Sequence, residues 1–129
     1  MSGAGKGHGQ LTLVDKGDVR FVEGPPGEPL LRAIDDAGLV VEACFSNKAG
    51  SALLYAPNLT ERFFDLSSGE AGAILQKLRT YRIRLAVVYT PGVTRLSRTF
   101  GEMAAEESRG RHFGLFDTVE AAREWLSRT

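Results

Sequence analysis

Apolar positions along the chain change period several times, and the changes mark out elements. Leu11-Thr12-Leu13-Val14 is apolar and β-favouring, and Val19-Arg20-Phe21-Val22 alternates as a strand does. With the polar turn Asp15-Lys16-Gly17-Asp18 between them, the two read as a hairpin. Gly24-Pro25-Pro26-Gly27 is a loop, because prolines at that density deny both ladder and helix. From Leu30 to Phe45 the pattern serves two readings. Ile34, Ala37, Val41, Cys44 and Phe45 fit helical spacing, with Asp35-Asp36 suited to a helix start, whereas Leu39-Val40-Val41 would also make a strand; the helix is the reading adopted.

The second half is plainer. Ala52-Leu53-Leu54-Tyr55-Ala56 and Arg84-Leu85-Ala86-Val87-Val88-Tyr89 are short apolar runs that read as buried strands, stopped by Pro57-Asn58 and Thr90-Pro91-Gly92. His112-Phe113-Gly114-Leu115-Phe116 reads as a third. Helices are predicted over Gly69 to Tyr81 (Ala71, Ile74, Leu75 and Leu78 inward), Thr94 to Ser108 (Leu96, Phe100, Met103 and Ala104) and Asp117 to Ser127 (Val119, Ala122 and Leu126). Asp117 and Glu120 stand at capping-box spacing. Strand–helix alternation with short connections means parallel βαβ units. The expected order is β-β-α-β-α-β-α-β-α, an α/β fold with a four- or five-stranded mixed sheet and helices packed on it. Leu54, Ile74, Leu78, Leu85, Val87, Phe100, Leu115 and Leu126 are its expected core. Residues 1–10 read as a disordered tail and 11–129 as a single domain, since Gly and Ala fill five of the positions from Gly3 to Gly9.

Composition narrows the function classes. With 129 residues the chain suits one domain, large enough for one core without disulfide or metal. Lys+Arg and Asp+Glu are 16 each, which argues against nucleic-acid binding through bulk charge. No apolar run approaches the roughly 20 residues of a membrane helix. The only cysteine, Cys44, sits on an apolar face and reads as core, and this cysteine usage suits the cytoplasm. Gly5-Lys6 lacks the Ser/Thr and the preceding strand of a phosphate loop. His8 and His112 are isolated, so no metal site and no cofactor is implied, and Trp125 reads as packing on the last helix.

Charge is uneven. Lys77, Arg79, Arg82, Arg84, Arg95 and Arg98 occur with no acid among them, while residues 1–76 carry six basic and ten acidic residues. A solvated helix end, with Lys77 and Arg79 complementing the dipole, is preferred over an anion patch. Arg109-Gly110-Arg111-His112 is a second basic spot in a turn, without the interleaved aromatics of single-strand binders.

In a parallel sheet, ligands gather beyond the carboxyl ends of the strands. The candidates there are Asn58, Asp65, Ser67, Ser68, Glu70, Tyr89, Thr90 and Asp117, with Arg95 and His112 as further polar contacts. Ser67 and Glu70 have the spacing of a capping box, with Ser67 expected to accept from the Glu70 amide. A phosphate on Ser67 or Ser68 would meet free helix amides.

Two resemblances bear on this segment. Phe64-Asp65-Leu66-Ser67-Ser68-Gly69 followed by Ala71-Gly72-Ala73-Ile74-Leu75 resembles the Asp-Ser-Ser-Gly segment of STAS domains, the anti-sigma-factor antagonist fold, with Leu66 inserted between the acid and the serines. That resemblance implies a STAS-like fold and a serine phosphorylated by a partner kinase. Phe63-Phe64-Asp65-Leu66, Ile74-Leu75-Gln76-Lys77, Tyr81 to Val88 and Glu107-Ser108-Arg109-Gly110-Arg111 are similar to a bacterial family of domains of unknown function, DUF4180. That family implies a fold rather than an activity, and Tyr89-Thr90-Pro91-Gly92 departs from the Gly-Asp expected after its strand. Two functions therefore stand. One is a non-enzymatic regulatory or protein-binding module, controlled by serine phosphorylation and facing a regulator or kinase. The other is a small-molecule-binding protein or small biosynthetic enzyme using a pocket at the strand ends. Homo-oligomerisation is left open by either.

Overall fold

The computed structural model describes residues 11–16 and 19–128. The tail over 1–10, with Gly5-Lys6 and His8, lies outside the described residues, as do Gly17 and Asp18 of the hairpin turn. The order of elements is β1 (Thr12–Asp15), β2 (Arg20–Glu23), α1 (Ala37–Asn47), β3 (Ser51–Tyr55), α2 (Glu70–Thr80), β4 (Arg84–Val88), α3 (Arg98–Arg109), β5 (Phe113–Phe116) and α4 (Val119–Ser127). This is the expected β-β-α-β-α-β-α-β-α order. The five strands form one mixed sheet in the order β1-β2-β3-β4-β5. β1 runs antiparallel to β2, and β2 to β5 are parallel, with Leu54 opposite Val87 and Val87 opposite Leu115.

Two-residue alternation gives each strand two faces, and the helices divide between them. Val22, Leu54, Leu85, Val87 and Phe113 pack under α1, α2 and α3 through Val40, Ile74, Leu78 and Phe100. Phe21, Leu53 and Ala86 face the other way, where α4 covers them with Ala122 and Leu126. The larger core contains a cluster of Phe63, Phe64, Phe100 and Phe113, whose rings meet edge to face at 5.2–6.1 Å. A Cβ at Gly114 would stand 2.6 Å from the Phe116 ring, so a side chain there would require that ring to shift.

Of the expected core, Leu54, Ile74, Leu78, Leu85, Val87, Phe100 and Leu126 are buried. Leu115 is only half-buried, because β5 is an edge strand. Helical spacing overran two helix starts. Leu30 and Leu31 are outside α1: both amides donate to the Asn58 carbonyl, at 3.1 and 2.7 Å, and hold the chain as a tether. Asp36 then takes the Arg32 and Ala33 amides on its carboxylate, and α1 begins at Ala37. Similarly α3 begins at Arg98, since Ser97 accepts from the Phe100 amide at 3.1 Å and fixes the cap there. α4 is capped by Thr118, which accepts from the Ala121 amide, in place of the Asp117–Glu120 pair. Among the described residues no helix is long and apolar enough to cross a membrane.

Candidate functional site

Beyond the carboxyl ends of β3 and β4 the chain makes two loops, 56–69 and 89–97, that enclose a cleft of about 690 Å³. Leu59, Phe64, Val93 and Leu96 give it apolar walls; Thr60, Thr90, Thr94 and Ser97 supply hydroxyls; and Glu61, Arg62, Asp65 and Arg95 bring charges of both signs. The two loops meet at one backbone hydrogen bond, from the Ser97 amide to the Phe64 carbonyl at 3.4 Å.

The first loop is built around Asn58. Its side chain is fully buried, Oδ1 accepts from the Tyr55 amide at 2.6 Å, and Nδ2 donates to the carbonyls of Pro25 and Glu28 at 2.7 and 2.8 Å. Every polar atom of that amide is spent on backbone, so Asn58 ties loops together and is not a ligand contact. Gly24 must remain small beside it, since a Cβ would lie 2.5 Å from Asn58 Oδ1. Further along, Thr60 caps the 3-10 turn Glu61–Phe64 by accepting from the Phe63 amide. Glu70, 4% exposed, accepts from Thr60 Oγ1 at 2.8 Å and Arg62 Nε at 3.1 Å. Glu70 therefore braces the cleft wall from behind instead of completing a capping box.

The two serines also differ from their expected roles. Ser68 Oγ, not Ser67, accepts from the Glu70 amide, at 3.1 Å, and donates to the Arg62 carbonyl at 2.6 Å. Ser67 Oγ donates to Asp65 Oδ1 at 2.7 Å, and that oxygen also accepts the Ser67 amide. The physical reason is Gly69: its φ of 81° turns the chain left-handed just before α2, so Gly69 is the N-cap, Glu70 the first helical residue, and Ser67 lies two residues before the cap position. Both serines are exposed beside the cleft.

Of the candidates read from the sequence, Asp65, Thr90 and Arg95 line the cleft together. Tyr89 is half-buried against the core, its amide donating to the Phe116 carbonyl. His112 is at the other end of the sheet. It precedes β5, whose register sets Phe113 opposite Leu85 at the amino ends of the strands. Half of the basic stretch has local work. Arg79 pairs with Glu107 at 2.6 Å and Arg98 with Glu102 at 3.8 Å. Arg84 lies over the Trp125 ring and donates to the carbonyls of Arg111, Leu126 and Trp125, and burial pushes its guanidinium pKa down. Arg95 is exposed and has no side-chain partner among the described residues.

Residues that sequence reasoning missed are Leu59, Thr60, Arg62, Phe64, Thr94, Leu96 and Ser97. Two of them carried a legible signal. Thr60 and Ser97 each stand three residues before a phenylalanine, at the spacing of an N-cap.

A second polar cluster lies at the strand ends on the α4 side. Glu23 accepts from Tyr55 Oη and Arg123 Nη2, both at 2.8 Å. Burial, then the bond to Glu23, pushes the Tyr55 phenol up to about 12. The same carboxylate holds the Arg123 guanidinium above its ordinary range. Arg123 Nε is buried without a hydrogen-bond partner among the described residues. Cys44 is buried in the main core, where desolvation lifts its thiol to about 12.

Compared with protein-family models, residues 16–126 match Domain of unknown function (DUF4180). The chain belongs to this family. No curated protein and no solved structure matches it. For this DUF4180 domain, then, the chemistry of the cleft is the guide to function, and among the described residues no group of three or more His, Cys, Asp or Glu could hold a metal there.

Proposed function

We propose that this DUF4180 domain binds a small amphipathic molecule in the cleft between loops 56–69 and 89–97. The observation that carries the reading is one concavity of about 690 Å³, within the usual size of ligand sites, with apolar walls and a few hydroxyl and charged groups around them. Its place beyond the carboxyl ends of parallel strands is where such folds bind ligands. Leu59, Phe64 and Leu96 would hold an apolar body, and Arg95, with no side-chain partner among the described residues, would meet an anionic or hydrogen-bonding group. The element order, common to the STAS layout that the sequence resembles, supports a STAS-like kinship. A cytoplasmic setting suits the lone buried thiol of Cys44.

Anilinonaphthalene sulfonate, an aromatic anion, is a suitable probe. It should bind the folded protein one to one, and Leu96→Trp, which fills the cleft from its wall, should abolish that binding while the fold persists. Equal binding by Leu96→Trp, or none by the wild type, refutes the reading.

A regulatory role is the second reading, favoured by the exposure of Ser67 and Ser68 beside the cleft. Phosphorylation of Ser67 would add roughly −1.5 to −2 charge next to Asp65 and break their hydrogen bond. Ser67→Asp should then change probe affinity or partner binding, and an unchanged profile in both counts against the switch.

A further inference from the structure

The turns that follow α1, α2 and α3 lead directly into β3, β4 and β5. Those strands are parallel neighbours, with Ser51 opposite Arg84 and Leu85 opposite Phe113. The three turns therefore stand side by side at the amino edge of the sheet, the end opposite the cleft. All three close alike. The amides of Ala49, Ile83 and His112 reach back to the carbonyls of Cys44, Leu78 and Glu107, at 2.9, 2.9 and 3.3 Å, each across one left-handed residue. Those residues are Lys48, Arg82 and Arg111, with φ of 54°, 58° and 65°. Among the described residues no other non-glycine has a positive φ. Glycine is the usual occupant of such a position, because a Cβ there is strained. The chain places a long cation at it three times over.

These cations are free to meet something else. Lys48, Arg82 and Arg109 are exposed and have no side-chain partner among the described residues. Arg111 is exposed too and spends one nitrogen on the Arg128 carbonyl, at 3.0 Å. Few acids oppose them. The last turns of α1 and α2 hold none, and Glu107 and Glu124, in the last turns of α3 and α4, are paired with Arg79 and Arg128. In those turns Glu106 alone stays unpaired among the described residues.

Adjacent strands lie about 4.8 Å apart, so the row from the β3 turn to the β5 turn is about 10 Å long. An extended peptide covers that length in about three residues, and its carboxylates match the guanidinium forks. We infer that this edge docks an extended acidic segment of a partner protein, with Lys48, Arg82, Arg109 and Arg111 as its contacts. A nucleic-acid strand fits less well. Single-strand binders add stacking rings to their cations, but here the Trp125 ring lies under Arg84 at 4.4 Å, and Tyr81 meets Phe45 edge to face at 5.7 Å. Equal numbers of acids and bases over the whole chain also leave no net charge to draw in a long polyanion. The inference is independent of the ligand cleft.

Fluorescence anisotropy of fluorescein-labelled octaglutamate with the full chain tests it. The wild type should bind with a Kd of about 10 to 100 μM at about 50 mM salt, and severalfold more weakly at about 150 mM. Lys48→Gly combined with Arg82→Gly should raise Kd about tenfold or more and yet raise Tm by about 2 to 5 °C, since both turns gain the residue they favour. Arg82→Lys, which keeps the charge, should stay within about threefold of wild type. Arg32→Gln combined with Arg98→Gln removes two cations near the opposite end of the sheet, and should stay within about twofold. The inference is overturned by no binding to the wild type at about 1 mM, or by a glycine pair that keeps the affinity or lowers Tm. An equal loss in the Arg32–Arg98 control overturns it as well, as does tighter binding of octathymidylate, the nucleic-acid outcome.

Discussion

The two walls of the cleft are held by different means. Loop 56–69 is fastened from inside: Asn58 is fully buried with three side-chain bonds to backbone, and Glu70 is buried behind Thr60 and Arg62. Loop 89–97 holds mainly to itself. The Val93 and Thr94 amides donate to the Thr90 carbonyl, the Thr90 amide reaches Thr94 Oγ1 at 3.4 Å, and the one backbone bond across the cleft is the 3.4 Å contact from Ser97 to Phe64. Val93 at its tip is 75% exposed. A wall with buried, saturated polar groups opens only at a cost near that of unfolding, whereas a wall of exposed local bonds opens cheaply. On the proposed reading, the first wall would position a ligand and the second would admit it.

Breaking the first wall should cost most. Asn58→Ala strands the Tyr55 amide and the Pro25 and Glu28 carbonyls, and about 3 to 5 kcal/mol of stability should go in urea denaturation. Probe affinity should fall with it although Asn58 does not line the cleft. A loss under about 1 kcal/mol would mean that this wall is not fastened as described. Glu70→Ala should follow, at about 1 to 3 kcal/mol, since it frees Thr60 and Arg62 from a buried acceptor. On the second wall, Ser97→Ala removes the α3 cap for about 1 kcal/mol. Its signature should be local: faster amide exchange over 90–97, with 56–65 still protected. Equal loosening of both loops would erase the contrast.

An effect confined to alkaline pH belongs to neither wall. The Cys44 thiol is held up at about 12 against an ordinary 9.0, so the folded state keeps its proton more tightly than the unfolded state does. Its contribution is whole below pH 9 and is lost as pH rises from 9 towards 12. The Tyr55 phenol, also near 12, acts with the same sign. Cys44→Ala should flatten part of the alkaline slope and leave both loops unaltered, as chemical denaturation across that pH range would show.

The strands and the order of helices were legible because burial imposes a period on them: Leu53-Leu54 and Leu85-Ala86-Val87 could be little else in a chain of this composition. Helix starts were not, because apolar spacing continues past them. Leu96 keeps step with Phe100 yet belongs to the loop, and only the cap at Ser97 marks the boundary. The site was half legible. Asp65, Thr90 and Arg95 follow from the rule about strand ends, whereas Asn58 and Glu70 are polar residues turned inward, and His112 lies at the wrong end of its strand. Polarity in a sequence marks a hydrogen-bonding need. Whether a ligand or the backbone meets that need is decided by the three-dimensional path of the loop.

Amide chemical-shift mapping during titration with anilinonaphthalene sulfonate tests the central claim most directly. If the cleft is the binding site and loop 89–97 its yielding wall, shifts concentrate in Leu59–Asp65 and Thr90–Ser97 and are larger in the second segment. Shifts centred instead on Phe45 and Tyr81, or none in either loop at saturating probe, would contradict it.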